Sequence, residues 1–343
     1  MVIKRNKIII IVTVCLLLFS VTAGALAAVL PRQEKEKTST ETESVSATVK
    51  EGRFNILLAG TDRASGLTDV IMLVSIDRDT SSASVLQIPR DTYAAYTDKS
   101  YKKLNGAYGA LGGGGALRNL LSGALGLRID RYAVLSPDAL KDAVDALGGV
   151  EIELQEPLYY KDPYQGFTVS LPKGKQNLDG AEAEQFIRYR SGYANGDIGR
   201  IDAQKVFMTA LLKKVGTNLS PIAVAKLAAS LLGKIDTDIT MADVGMLSRS
   251  LSSLSRDRVY FATAPGQAAE AKSGASYYAI SKQATDELLV KYFGGRAGAF
   301  DKNNLFLNVN NQKFGEIYGG YSEYRVYTAS QIAESGLGNA SAP

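Results

Sequence analysis

Arg188, Arg190 and Arg200 crowd three guanidiniums into one short stretch, in series with Asp197 and Gln204 and interrupted by Ser191-Gly192-Tyr193-Ala194-Asn195-Gly196. On extended chain leaving a helix end, Arg188 and Arg190 would project to one side, while Arg200 and Gln204 are one helical turn apart on one face. Permanent positive charge so concentrated calls for an anion. A guanidinium forks onto phosphate oxygens, each charge-assisted bond contributing roughly 1.5 to 3 kcal/mol away from water, and a pyrophosphate would satisfy all three. A surface helix with Arg–Asp pairs, drawing on Asp197 and Asp202, explains the same spacing.

Two aspartates stand at expected strand ends, Asp62 followed by Arg63 and Asp69 preceded by Thr68. Brought together at one sheet edge, they are hard-oxygen ligands suited to Mg²⁺, which takes one or two carboxylates and completes its shell with water and phosphate oxygens. Aspartates that cap loops by bonding their own backbone are the competing explanation. Pro89-Arg90-Asp91 closes a third strand, leaving a cation and a carboxylate at a sheet end, where α/β proteins tend to bind ligands. Lys103-Leu104-Asn105-Gly106 could add a cation and an amide, although Asn-Gly is first a turn signal. Gly112 to Gly115 lacks the residues of a phosphate loop or a dinucleotide fingerprint and reads as a connector.

Composition narrows the chemistry further. The 343 residues include no histidine and one cysteine, Cys15, so His-based triads, Cys/His zinc sites and internal disulfides are excluded. The net charge of +4 owes three cations to Lys4, Arg5 and Lys7, which leaves the remainder nearly neutral and gives no pull toward nucleic acid. Residues 8–30 carry no charge and as a helix would span about 34 Å, enough for a bilayer core of roughly 30 Å. A transmembrane anchor after a short cytoplasmic N-terminus (1–7) is expected; the small residues Ala25-Leu26-Ala27 leave a cleaved signal peptide as the alternative. Residues 31–51, rich in Ser, Thr, Glu and Lys, read as a solvated tether.

The elements that must position these residues begin near Arg53. Residues 54–60, 70–76 and 84–88 are expected strands, followed by helices at 116–125 and 137–147 with a strand at 132–135 between them, and a further strand at 150–154. An irregular excursion is expected over 159–171, then helices at 181–189, 201–215, 221–232 and 241–254, a strand at 258–263 and a helix at 277–293. Strands first and helices gathered later favour one mixed-sheet α/β domain over 52–293, a size that one core can support, with 294–343 as an extension of unknown role.

Taken together, Asp62, Asp69, Pro89-Arg90-Asp91, Lys103-Leu104-Asn105, Leu147-Gly148-Gly149-Val150 and the series Arg188, Arg190, Asp197, Arg200, Gln204 resemble the LytR-CpsA-Psr family of membrane-anchored cell-wall enzymes. The resemblance implies an extracytoplasmic α/β/α-type domain on a single-pass cell-membrane anchor. It implies transfer of a glycopolymer from a polyprenyl-pyrophosphate carrier to a peptidoglycan hydroxyl, with no nucleic-acid partner. In that scheme Asp62 and Asp69 would hold Mg²⁺ (or Mn²⁺) on the pyrophosphate. Arg63, Arg90, Arg188, Arg190 and Arg200 would neutralise it, with Gln204 in support and Lys103 and Asn105 nearby. Asp197 or Asp91 would take the hydroxyl proton, and an apolar tunnel between the sheet and the helices from Val206 to Leu232 would hold the polyprenyl tail. Many relatives carry Arg-Gln where this chain has Ala203-Gln204, which removes one cation. A polyprenyl-pyrophosphate hydrolase and a non-catalytic lipid-glycan binding or regulatory module remain open beside the transferase, as do the glycopolymer and the oligomeric state.

Overall fold

The computed structural model describes residues 52–62, 66–96, 102–163, 166–193, 196–216, 231, 234–240, 242–243, 246–247, 254–271, 274–306, 314–320, 324–335 and 337. The expected anchor and tether, Arg63, and nearly all of the helices expected over 221–232 and 241–254 lie outside them. No helix among the described residues is long and apolar enough to cross a membrane.

A seven-stranded sheet forms the centre, built from β1 (Arg53–Thr61), β2 (Thr68–Asp77), β3 (Ser82–Gln87), β4 (Arg131–Leu135), β5 (Ile235–Thr237), β6 (Val259–Thr263) and β7 (Val326–Thr328) in the order β5-β4-β1-β2-β3-β6-β7. The sheet is mixed: β1 runs parallel to β4 and β3 to β6, and the other neighbours are antiparallel. Period-two alternation makes both faces apolar. Ile56 and Leu58 of β1 enter one core and Leu57 and Ala59 the other, which is why the strand reads as an unbroken hydrophobic run.

Helices cover both faces. On one side lie α1 (Ala107–Leu111), α2 (Gly114–Leu125) and α6 (Lys282–Phe293); on the other lie α3 (Pro137–Ala146), α4 (Gly180–Arg188) and α5 (Asp197–Gly216), with α7 (Ala329–Glu334) beside α5. Local signals set their ends. Ser136 caps α3 ahead of Pro137, and Asp179 and Glu182 form a reciprocal capping box on α4. The result is the expected mixed α/β domain, layered α/β/α.

Three expectations are corrected. Residues 159–171 are a hairpin, Leu158–Asp162 against Phe167–Leu171, whose second strand alternates exposed Thr168 and Ser170 with buried Val169 and Leu171. The start of the helix expected at 277 belongs to a strand, Ser276–Ile280, since its aromatic run pairs with Gly266–Ala271 in a smaller sheet that also holds Phe314–Gly320. Beside the late strand expected at 258–263, which is β6, the sheet takes in two further late strands, β5 and β7, and β7 lies beyond residue 294. Of the glycine run, Gly112 and Gly113 form the connector with positive φ, and Gly114 and Gly115 already belong to α2.

Candidate functional site

The site forms where β1, β2 and β3 end against the first turns of α5. Gly60 pairs with Val70 and Thr61 with Thr68, so Asp69 is the extra residue of a β-bulge, a device that re-aims a side chain from the ladder. Its carboxylate accepts from the Arg90 guanidinium. Asp62 closes the β1–β2 connection with its N–H on the Leu67 carbonyl at 2.9 Å. After β3, Pro89 starts a turn in which Thr92 donates to the Pro89 carbonyl through both N–H (3.0 Å) and Oγ1 (2.6 Å), leaving Arg90 and Asp91 projecting.

Arg200, in the first turn of α5, is 4% exposed. Its Nη2 lies 2.8 Å from Asp197 Oδ1 and 3.4 Å from the Asp69 carbonyl. Arg90 Nε is 3.7 Å from the same Asp197 oxygen and 3.9 Å from Asp91 Oδ1, and Lys103 Nζ is 3.1 Å from Asp91 Oδ1. Three cations and three carboxylates thus form one continuous cluster. The surface-helix explanation of the Arg–Asp spacing fails here, because a pair holding Arg200 at that depth is not a solvated one. Among the described residues, Nε of Arg90, Nε of Arg200 and both Asp197 oxygens are buried without a well-aligned hydrogen bond, despite the ion-pair distances.

The two arginines feel opposite net effects. Burial, the largest single influence on Arg90, pulls its pKa down, but Asp69, Asp197 and Asp91 together outweigh it and raise the group above its ordinary value. For Arg200 burial wins, with Asp197 opposing it and Arg90 adding repulsion, and its pKa falls. Gln204, one turn further along α5, accepts from Gln87 Nε2 and donates to the Ile187 carbonyl at 3.1 Å.

Arg188 does not pair with Arg190 as expected. It is still the last residue of α4, so the extended-chain rule does not apply; its Nη1 sits 2.9 Å from Glu184 and its guanidinium 4.2 Å above the Phe167 ring. Arg190 is exposed and forms no ion pair among the described residues. Asn105 enters through its backbone, donating to the Arg90 carbonyl at 3.0 Å and accepting from Thr68 Oγ1 at 3.2 Å. Two contributors escaped the sequence reading. Gln87 was legible as a polar residue inside an apolar strand, and Glu184 as the residue four before Arg188.

Behind the charges, an apolar cavity of about 220 Å³ runs between the sheet and α3, α4 and α5. Asp62, Asp69, Glu184, Arg188, Arg200 and Gln204 line its polar end, and Ile56, Met72, Val85, Phe207, Leu211 and Phe261 are among those lining the rest. Ala203, next to Gln204 on α5, is wholly buried in the same core.

An arginine–aspartate cluster thus closes one end of an apolar cavity in an α/β/α domain. The chain matches the LytR_cpsA_psr family model over residues 18–292, and the protein belongs to the LytR-CpsA-Psr family. The cell wall biosynthesis protein LcpA of Corynebacterium glutamicum is 29% identical over 246 residues, covering 64% of this chain and 46% of that one. The regulatory protein MsrR of Staphylococcus aureus is 33% identical over 207 residues, 59% of this chain and 61% of that one. The chain therefore spans less than two thirds of the length of the curated relatives it matches. Among solved structures, TagV of B. subtilis superposes with a TM-score of 0.60 at 24% identity, covering 72% of this chain and all of that one. TagT bound to LIIa-WTA gives 0.57 at 24%, covering 71% and 91%. At these identities the structures speak to the fold.

Proposed function

We propose that the protein transfers a glycopolymer from a polyprenyl-pyrophosphate carrier to a hydroxyl of peptidoglycan, releasing polyprenyl phosphate. The observation that carries this is the joining of a charge cluster to an apolar cavity: the cavity suits a polyprenyl tail, Arg200 and Arg188 line its polar end, and Arg90 joins them through Asp69 and Asp197, so that a pyrophosphate would lie among guanidiniums. Membership of the family, relatives named for cell wall biosynthesis and a neighbour bound to LIIa-WTA support the glycopolymer as cargo.

Chemically, the acceptor oxygen bonds to the glycan-linked phosphorus, the bond from that phosphorus to the bridging oxygen breaks, and its electron pair leaves on polyprenyl phosphate. The reaction needs positioning and charge neutralisation rather than a protein nucleophile, consistent with a chain without histidine. Arg200 and Arg90 stabilise charge on the pyrophosphate oxygens, Gln204 braces α5 against β3, and Asp91 or Asp197 accepts the acceptor's proton. Asp62 and Asp69, two hard-oxygen carboxylates lining the cavity, would hold a Mg²⁺, Asp69 through the oxygen it does not share with Arg90. Bound there, the ion would supply further charge neutralisation on the phosphates. Residues 8–30 would anchor the domain on the outer side of the cell membrane.

The test supplies the full chain in detergent micelles with carrier-linked glycan, with and without peptidoglycan. Release of polyprenyl phosphate coupled to glycan attachment is expected; release indifferent to the acceptor would assign a hydrolase instead.

A further inference from the structure

The short hairpin of Tyr93–Ala94 and Lys102–Lys103 pairs Tyr93 directly with Lys103, so their side chains share a face. Asp91, two residues before Tyr93, reaches the same face and meets Lys103 Nζ at 3.1 Å. The smaller sheet docks alongside, with Tyr278 N–H donating to the Asp91 carbonyl at 2.8 Å and Thr92 bridging Tyr278. That docking places the Tyr277 ring 4.1 Å from the Tyr93 ring, inclined by 52°, with Lys103 Nζ 5.9 Å from the Tyr277 centroid. Both rings rest on Ala269 and Ala279 and keep part of their surface exposed.

Ring faces bordered by an ammonium and a carboxylate match a pyranose, whose C–H face stacks while its hydroxyl and N-acetyl groups find donors and acceptors at the rim. The location adds a second argument. Asp91 lies 3.9 Å from Arg90 Nε, so the rings adjoin the charge cluster. The cavity belongs to the core on the α3–α5 face, whereas Ala94 and Leu104 of the hairpin region belong to the core on the opposite face. Displacement at phosphorus requires attacking and leaving oxygens roughly in line. With the leaving polyprenyl phosphate on the cavity side, the attacking hydroxyl must come from the hairpin side.

We propose that Tyr93 and Tyr277, bordered by Lys103 and Asp91, form the subsite for the acceptor glycan, a strand of N-acetylated hexopyranoses whose free hydroxyl is directed at the pyrophosphate. This rests on the transferase reading. The test titrates the full chain in micelles with a soluble tetrasaccharide of alternating N-acetylglucosamine and N-acetylmuramic acid. Tyr277→Leu is expected to weaken binding and raise the acceptor KM about tenfold (about 1.4 kcal/mol) with the donor KM unchanged, while Tyr277→Phe, which keeps the ring, stays within about twofold. Unchanged binding in Tyr277→Leu, or equal losses in both variants, overturns the subsite. Should Tyr277→Leu not fold, the Tyr277 ring resonance of the unaltered chain is followed instead. A shift on adding tetrasaccharide supports the proposal, and an unmoved signal overturns it. Tetrasaccharide that binds through the ring while no glycan is transferred to it leaves the subsite standing and removes the transferase reading.

Discussion

Arg200 Nη2 and Asp197 Oδ1 lie 2.8 Å apart, three residues from each other on α5, with the arginine almost wholly out of water. The same Asp197 oxygen lies 3.7 Å from Arg90 Nε, so one carboxylate faces two guanidiniums. Arg200→Ala leaves Asp197 and Asp69 short of a buried counterion, and breaking a buried pair destabilises by about 3 to 5 kcal/mol. Transfer is expected to fall roughly 100-fold or more, as when a donor to developing charge is lost. Arg200→Lys should recover much of the melting temperature but little of the rate, since an ammonium cannot fork. Thermal melts beside carrier turnover check both; a lysine variant with full activity contradicts the role given to the guanidinium.

The apolar cavity makes a separate prediction through chain length. Val74 faces it from β2, opposite Val85 in register. In Val74→Phe the ring enters existing space, so stability should change by less than the roughly 1 to 3 kcal/mol of overpacking a filled core. Long-chain carrier should then bind at least about tenfold more weakly, an allotment of about 1.4 kcal/mol, while an analogue with a two-isoprene tail is handled normally. Equal losses with both tails would place the lipid elsewhere.

Divalent ion dependence tests the carboxylates. Chelation is expected to stop transfer, and Mg²⁺ or Mn²⁺ to restore it. Asp62→Asn should raise the Mg²⁺ concentration for half-maximal rate at least about tenfold, the lower end of what even outer-shell substitutions cost. Full turnover in a chelator would remove Asp62 and Asp69 from any metal role.

How much was legible varied with the range of the cause. Strands such as β1 and the capping box of α4 are written in neighbouring residues, so they were readable in advance. The bulge at Asp69 was not, because it depends on which residue of β2 faces Gly60 and Thr61, a relation of register rather than of sequence. Arg188 and Arg190 part because α4 runs through Arg188, as the helix expected over 181–189 already implies, so the two-residue alternation of an extended chain does not join them. Tyr277 was hidden inside an expected helix, as only pairing with the preceding strand makes 276–280 extended. Chemistry was readable from residue types; convergence waited on topology.

At the sheet edge away from the site, Asp243 links Arg131 at the start of β4 to the segment after β5, and its charge should show in acid stability. Its carboxylate takes Arg131 Nε at 2.8 Å, Thr240 N–H at 2.9 Å and Thr240 Oγ1 at 2.7 Å. Burial works to raise its pKa, but the hydrogen bonds from Arg131 and Thr240 and the guanidinium charge outweigh it and hold the carboxyl below its ordinary value. A carboxyl depressed on folding contributes stability above its unfolded pKa, about 3.9, and loses that contribution as pH falls through the lower folded value. Asp243→Asn should therefore melt lower than the unaltered chain at pH 7, and the gap should close as the pH is taken below about 4. Melting temperatures of both proteins from pH 7 to pH 3 decide it, and a gap that stays constant across that range would mean the carboxylate's charge contributes nothing to holding this edge.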